Sequence, residues 1–400
     1  MKAADINDTL RAEGDAAVRA RHDRAHKYKP LNRAIEKFNE WLALTSPMPI
    51  YATLGTVAAN LLPGDPVWLG LIAPPSSAKT ELLNSVSHLP YVVPAATLTP
   101  AALLSGTPKR QLEAGSKGGL LRQIGDFGIR AIKDFGSILS MRPEAKAEVL
   151  AALREIYDGS WTRHLGTGGG RTLSWRGKVG LIFCCTEAYD AHYSVIGSLG
   201  DRFLLDRLGP SSDQQFKMAL KHTGAATKTM REELAIAVTE LFSGKLPTPQ
   251  QLQDNEREQM RQIVELVVRL RGTVERDRFT REIERVHDAE GPGRLTLSLE
   301  RLLAGLDTLA LERWTAFNVI KHVALSSTPP TRRRAFEFLS DKPQTTIAIA
   351  DKLRLPKNTT QRALEELVAH DLAVRIGYDK THLWTRAINS WTPANENGDH

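Results

Sequence analysis

One octapeptide in this chain has the ingredients of a phosphate cradle: Ala73-Pro74-Pro75-Ser76-Ser77-Ala78-Lys79-Thr80. It follows the apolar run Val67 to Ile72 and precedes a helical pattern that begins Thr80-Glu81-Leu82-Leu83. A strand that turns directly into a helix aims the helix's unpaired amides and its positive dipole end into the turn, which favours a phosphate there. Lys79 would reach the terminal phosphates of ATP, and the Thr80 hydroxyl would hold Mg²⁺. The usual spacing is G-x-x-x-x-G-K-[ST], and both glycine positions are alanine here, Ala73 and Ala78. Alanine serves at the second position if its φ stays negative. The first is more awkward, because glycine permits close backbone approach there.

Such a loop needs partners from neighbouring strands. An acidic residue must stand near Mg²⁺ and the attacking water. Asp134 closes the apolar run Gly128 to Ile132, in Lys133-Asp134-Phe135, with one acid where two usually stand. The residues leave open whether Asp134 faces the metal or activates water. Thr186 closes Val179 to Cys185, where a polar group would meet the γ-phosphate. Arg202 has two readings: a charge-stabilising arginine presented to a neighbouring copy's nucleotide, or one half of a surface ion pair with Asp201 or Asp206. The candidate catalytic set is therefore Lys79, Asp134, Thr186 and Arg202. Ala73, Pro74, Pro75, Ser76, Ser77, Ala78, Lys79 and Thr80 bind the cofactor, and Thr80 and Asp134 hold the metal.

The elements that must position these groups follow from periodicity. Val67 to Ala73, Tyr91 to Leu98, Phe127 to Phe135 and Lys178 to Thr186 read as buried strands alternating with helices, which predicts an α/β domain with a mostly parallel sheet. Pro143 near the start and Gly159 just past the end bound a long amphipathic helix. Ser160 to Gly177 reads as a β-hairpin turning at Gly166 to Gly170. The expected organisation is a charged arm (1–28), an N-terminal helical segment (29–62), the α/β core (63–211), an all-helical lid (212–328), a small C-terminal unit (329–388) and a polar tail (389–400).

In this order of parts the chain resembles an AAA+ P-loop ATPase, more narrowly the minichromosome maintenance helicase and MoxR-like clade. That clade carries phosphate loops reading G-D-P-G-T-A-K-S, so Ala78 before Lys79 has precedent there. Its I-D-E-F motif lies over Ile132-Lys133-Asp134-Phe135, which puts Asp134 at the glutamate position and Lys133 in place of the metal-side aspartate. Its S-R-F arginine motif matches Asp201-Arg202-Phe203. A hairpin before the sensor strand fits Ser160 to Lys178, and an insert after the phosphate-loop unit fits Leu98 to Gly119. The clade's lid arginine falls on Leu297, so Arg294 or Arg301 would have to substitute. The resemblance covers about Leu62 to Leu311. It implies ATP and Mg²⁺ as cofactors and a homo-oligomeric ring, expected as a hexamer.

The C-terminal unit, Thr331 to Ala387, resembles a winged helix. Ile347 to Leu353 would be its second helix, Asn358 to Asp371 its recognition helix capped by Asn358, and Leu372 to Arg386 its wing. Lys357, Asn358, Thr359, Thr360, Gln361 and Arg362 suit phosphate and base-edge contact with DNA, with Lys380 at the wing. Protein docking is the other use of such a module. The hairpin before the sensor strand adds Arg163, His164, Arg171, Arg176 and Lys178, which would touch DNA backbone in a ring channel or else form a solvated hairpin. The run Arg332-Arg333-Arg334 either meets phosphate or flanks a helix start.

Composition bounds these readings. A net charge of +7 over 400 residues permits polyanion binding without requiring it. The two cysteines, Cys184 and Cys185, are adjacent, so no disulfide framework exists, and a cytoplasmic location is expected. No apolar window is long enough for a membrane span. Three functions are consistent with the residues: an ATP-driven motor on DNA (helicase, translocase or initiator-like), a nucleotide-gated DNA-binding regulator or loader with weak or no hydrolysis, and a protein-remodelling ATPase.

Overall fold

The computed structural model describes residues 30–95, 98–104, 119–165, 171–193, 196, 202–209, 213–221, 225–377 and 382–387. The N-terminal arm, most of the expected insert, the hairpin turn at Gly166 to Gly170, Asp201, Lys380 and the polar tail lie outside them.

Helices α1 (Pro30–Leu42) and α2 (Met48–Leu61) lead into strand β1 (Trp68–Ile72), helix α3 (Lys79–Val86) and strands β2 (Val92–Ala95) and β3 (Phe127–Ile132). Helix α4 (Pro143–Tyr157), the hairpin β4 (Ser160–Leu165) and β5 (Arg171–Arg176), and strands β6 (Lys178–Cys185) and β7 (Phe203–Arg207) follow. Five strands form one sheet in the order β2-β3-β6-β1-β7, every pair parallel. The chain is mixed α/β, as expected, and β7 adds a fifth strand to the four anticipated.

Strand alternation divides the core. Leu69, Leu71, Ile182 and Cys184 face the layer of α1, α2 and α3. Trp68, Ile72, Leu181, Phe183 and Cys185 face α4 and the hairpin. Asn60 pins α2 to the start of β1: its amide donates to Val67 O (2.9 Å) and its carbonyl accepts from Val67 N (3.0 Å).

After β7 come α5 (Asp213–Lys221), α6 (Ala225–Ser243), α7 (Asp254–Arg271), strands β8 (Val274–Arg276) and β9 (Ile283–Val286), α8 (Gly293–Thr308) and α9 (Arg313–Ser326). The expectation of an entirely helical lid is corrected here. Gly272 ends α7, and Val274 and Ile283 then alternate with charged neighbours about a tight turn, the period of a hairpin. Elsewhere the lid packs closely. A Cβ on Gly305 of α8 would stand 2.2 Å from Gly55 O, so only glycine lets α8 lie against α2.

The C-terminal residues form α10 (Pro330–Phe338), β10 (Gln344–Thr345), α11 (Thr346–Leu353), α12 (Lys357–Ala369), β11 (Ala373–Ile376) and β12 (Leu383–Arg386). Their three strands pair in the order β10-β12-β11. Their own apolar cluster, centred on Phe336, Leu364 and Trp384, includes Leu266 and Leu270 of α7. No helix among the described residues is long and apolar enough to cross a membrane.

Candidate nucleotide site and nucleic-acid face

The parallel sheet brings the C-terminal ends of β3, β6 and β1 side by side, the edge where open α/β sheets bind ligands. The chain leaves β1 between its two neighbours: Ala73 N donates to Cys185 O (3.2 Å) and Leu208 N donates to Ile72 O (3.1 Å). Ala73 is thus a buried continuation of the strand without positive φ. The turning falls instead on Ser76 (φ +63°) and Ala78 (φ +65°). The condition for alanine at the second position, a negative φ, is not met at Ala78, and the awkwardness expected at Ala73 moves to Ser76 and Ala78.

Left-handed backbone costs an L residue roughly 1–2 kcal/mol, while glycine gives back part of that through unfolded-chain entropy. Ala78→Gly is expected to stabilise the fold by about 0.5–1 kcal/mol, seen as a higher thermal midpoint. A lower midpoint would contradict this account of the loop. Alternation of backbone hand is also the geometry in which successive amides converge on an anion. Pro74 and Pro75 have no amide to donate, which leaves the amides from Ser76 to Thr80 for that role.

Lys79 opens α3 and is buried. Its Nζ donates to Pro74 O (2.8 Å), and Ser77 Oγ donates to the same carbonyl (2.5 Å). The ammonium therefore lies across the mouth of the loop. Next to it, Arg231 of α6 holds both oxygens of Glu81 through Nε (2.9 Å) and Nη2 (2.7 Å). A pocket of about 330 Å³ opens over the loop, walled by Trp41 of α1, Met218 of α5, Met230 of α6 and residues 76–81.

Asp134 is exposed just past β3, held from beneath by Phe135. Phe135 is fully buried, its ring stacks on Phe183 at 4.2 Å, and its amide donates to Cys184 O (2.9 Å). The field at Cys184 registers how the groups converge. Burial pushes its thiol up to about 12, Lys79 and Lys133 oppose that shift, and Asp134 reinforces it. Both cysteines are free, buried and correspondingly unreactive. Thr186 sits at the end of β6, where its hydroxyl accepts from Ala188 N (3.4 Å) and caps a short 3₁₀ turn.

Lys79, Thr80, Asp134 and Thr186 thus share one edge of the sheet, and Arg202 does not. It immediately precedes β7, whose Phe203 is level with Trp68 at the opposite end of β1. Five strand residues, roughly 16 Å, separate it from its own loop. Of its two expected ion-pair partners, Asp201 lies outside the described residues and Asp206 is engaged elsewhere. Arg202 is buried, donates to both oxygens of Asp158 (2.9 and 3.2 Å) and lies over the Tyr157 ring. Asp206 meets His322 instead (3.2 Å). The arginines expected to replace the lid arginine are likewise at the wrong end. Arg301 donates to Pro63 O (2.7 Å) and Ala59 O (3.0 Å) before β1, and the charge of Arg294 acts on Tyr157. Arg231 of α6 is the arginine that reaches the start of α3, through Glu81, and no motif in the sequence marked it.

The expected DNA-contacting residues divide similarly. On the hairpin, Trp161, Leu173 and Trp175 face inward, and Arg163 on the same side donates to Leu104 O (2.8 Å). His164 and Arg176 are on the exposed face among Thr162, Thr172 and Ser174. The side chain of Arg171 lies outside the described residues. Lys178 is withdrawn from any channel role: its Nζ donates to Leu62 O (2.6 Å), and burial followed by the Arg301 charge lowers its pKa to about 8.

In α12, Lys357, Asn358, Thr359 and Arg362 are exposed. Thr360 is fully buried, with its hydroxyl on Pro356 O (3.2 Å), so it is removed from the contact set. Gln361 is half-buried and donates to Glu365 (3.0 Å). The N-cap is Pro356 rather than Asn358. The run Arg332-Arg333-Arg334 serves the fold: Arg332 donates to Leu270 O (2.6 Å) and Glu366 (2.7 Å), Arg333 pairs with Glu337 (3.7 Å), and Arg334 donates to Leu353 O (2.5 Å). No protein-family model matches this chain, and a search of curated proteins found no match.

Proposed function

We propose that this chain is an ATP-binding protein of the AAA+ type that acts on DNA through a C-terminal winged helix. The observation that carries the reading is the meeting of Lys79, Thr80, Asp134 and Thr186 at the C-terminal edge of the β3-β6-β1 strands. The residues fit the cofactor. The positive-φ turn at Ser76 and Ala78 forms an anion cradle, Lys79 has only a carbonyl to release, and Trp41 with the two methionines gives a base an apolar wall. Thr80 and Asp134 would hold Mg²⁺ together with phosphate oxygens, one carboxylate being a usual protein share for this ion. When bound, the metal neutralises charge on the transferring phosphate.

The chain's own residues have separable tasks in this reading. The amides from Ser76 to Thr80 would bind the β-phosphate, Lys79 its terminal neighbour and Thr186 the γ-phosphate, while Asp134 would serve either the metal or the attacking water. Arg231 releases Glu81 to meet the nucleotide from the lid side. Arg202 can reach only the nucleotide of an adjacent copy, which requires a ring, expected as a hexamer, and release of Asp158. The order helix, strand, helix, helix, two strands and the sheet order β10-β12-β11 support the winged-helix assignment, with α12 as the DNA-facing helix.

A second reading, a nucleotide-gated DNA-binding regulator or loader with weak or no hydrolysis, is favoured by the pairing of buried Arg202 with the exposed Asp158 and by Lys133 at the metal-side position. ATP hydrolysis measured with and without DNA on the full chain, Lys79→Ala and Arg202→Ala separates the two. The motor reading expects a DNA-stimulated rate that both substitutions lower by tenfold or more. ATP binding without turnover selects the regulator, and a DNA-stimulated rate that neither substitution changes overturns the site.

A further inference from the structure

The β8–β9 hairpin ends in a tip built to present one aromatic ring. The Asp277 carboxylate accepts from Phe279 N (2.7 Å) and Thr280 N (2.5 Å), Arg281 N donates to Asp277 O (3.1 Å), and Arg281 closes the turn at φ +65°. These backbone bonds hold the Asp277 carboxyl below its usual range. The Phe279 ring, by contrast, is 94% exposed. A single exposed apolar side chain is ordinary. A fully exposed ring on a fixed turn between two exposed arginines, Arg278 and Arg281, is a more particular arrangement.

The hairpin is also fastened to α12. Arg276 donates to Glu365 (2.8 Å) and to Arg362 O (3.0 Å), and it pairs with Glu366 (3.4 Å). A cleft of about 820 Å³ separates the tip from α12 and the β11–β12 strands, with Arg281, Arg362 and Arg375 on its walls beside Asn358 and Gln361. Two acids line the same cleft: Glu365 is already paired with Arg276, and Glu282 is exposed on the tip side.

We propose that Phe279 is a base-stacking residue for single-stranded DNA, with Arg278 and Arg281 on the flanking phosphates and the cleft continuing the strand's path to α12. The proposal rests on the DNA-binding reading above. Single-stranded rather than duplex DNA is the occupant because a ring face can stack only on an exposed base face, whereas entry into a duplex first requires unstacking. The alternating anchor on α12 and the rigid tip fix the ring's position relative to the exposed Lys357 and Arg362.

The test is fluorescence anisotropy of the full chain on a 20-nucleotide single strand and on the matching duplex, with Phe279→Ala, Phe279→Trp and Lys357→Ala/Arg362→Ala. A second readout is photo-crosslinking to a single strand carrying 5-iodouracil. Phe279→Ala should weaken single-strand binding about tenfold and leave duplex binding within twofold, and Phe279→Trp should restore it. The crosslink should map to Phe279. The double substitution should weaken both forms. If the double substitution weakens binding while Phe279→Ala binds both forms as the parent does, the stacking role is overturned and the DNA reading stands. If the parent chain binds neither form, both fall. Because Phe279 is almost fully exposed, its substitution leaves the fold intact, and a thermal midpoint equal to the parent's checks this.

Discussion

Lys79→Ala is expected to lower affinity for Mg-ATP about a hundredfold, while Lys79→Arg keeps only part of it. The reason lies in where the ammonium sits. Lys79 is almost completely buried at the first position of α3 and reaches back over the loop to Pro74 O, so a bound phosphate takes over a charge that is already desolvated. Removing one member of a buried, hydrogen-bonded charge pair costs about 2–5 kcal/mol, and a hundredfold loss lies within that range. The free protein gives up one neutral acceptor bond worth about 1 kcal/mol, so it should remain folded. Titration calorimetry on the folded variant reads the loss directly. An unchanged affinity would place any nucleotide elsewhere on the chain.

Phe135→Ala should have the largest effect on stability, about 3–5 kcal/mol. Its ring is fully buried between Phe183 at 4.2 Å and Phe203 at 5.7 Å, under the end of the sheet that carries the site. The cavity would form directly beneath Asp134, so the acid loses its support and the sheet loses packing together. Phe135→Leu keeps most of the volume and should cost less. Urea denaturation compares the two. A loss below 1 kcal/mol for the alanine variant would mean the loop bearing Asp134 is held by something other than this ring.

What the sequence disclosed depended on how local the determining physics was. β1 and β6 were legible because strands buried on both faces are continuous apolar runs, and α4 because Pro143 and Gly159 bound it, the latter at φ +87°. β7 was harder to read: Phe203-Leu204-Leu205 is short, and it ends in Asp206-Arg207, whose partners His322 and Asp190 come from other elements. The β8–β9 hairpin was hidden by its charge. Val-Glu-Arg and Ile-Glu-Arg-Val alternate with period two, but they lie between two strong helical stripes.

For the candidate site, the sequence marks the strand-end residues and not the long-range contacts around them. Lys79, Asp134 and Thr186 follow from strand ends, whereas Arg231 meets Glu81 only because α6 folds back over α3, a contact 150 residues apart in sequence. The same limit explains Lys178 and Thr360. Each is a nucleic-acid contact by type: Lys178 is removed by Leu62 O, 116 residues away in sequence, and Thr360 by the packing that buries α12, its hydroxyl resting on the i−4 carbonyl of Pro356.

Calorimetric titration of Mg-ATP into the chain reads the nucleotide site itself. Saturable binding at one site per chain, competed by ADP and lost in Lys79→Ala, is the expected result. Absence of binding at millimolar nucleotide, or binding that Lys79→Ala leaves unchanged, would contradict it.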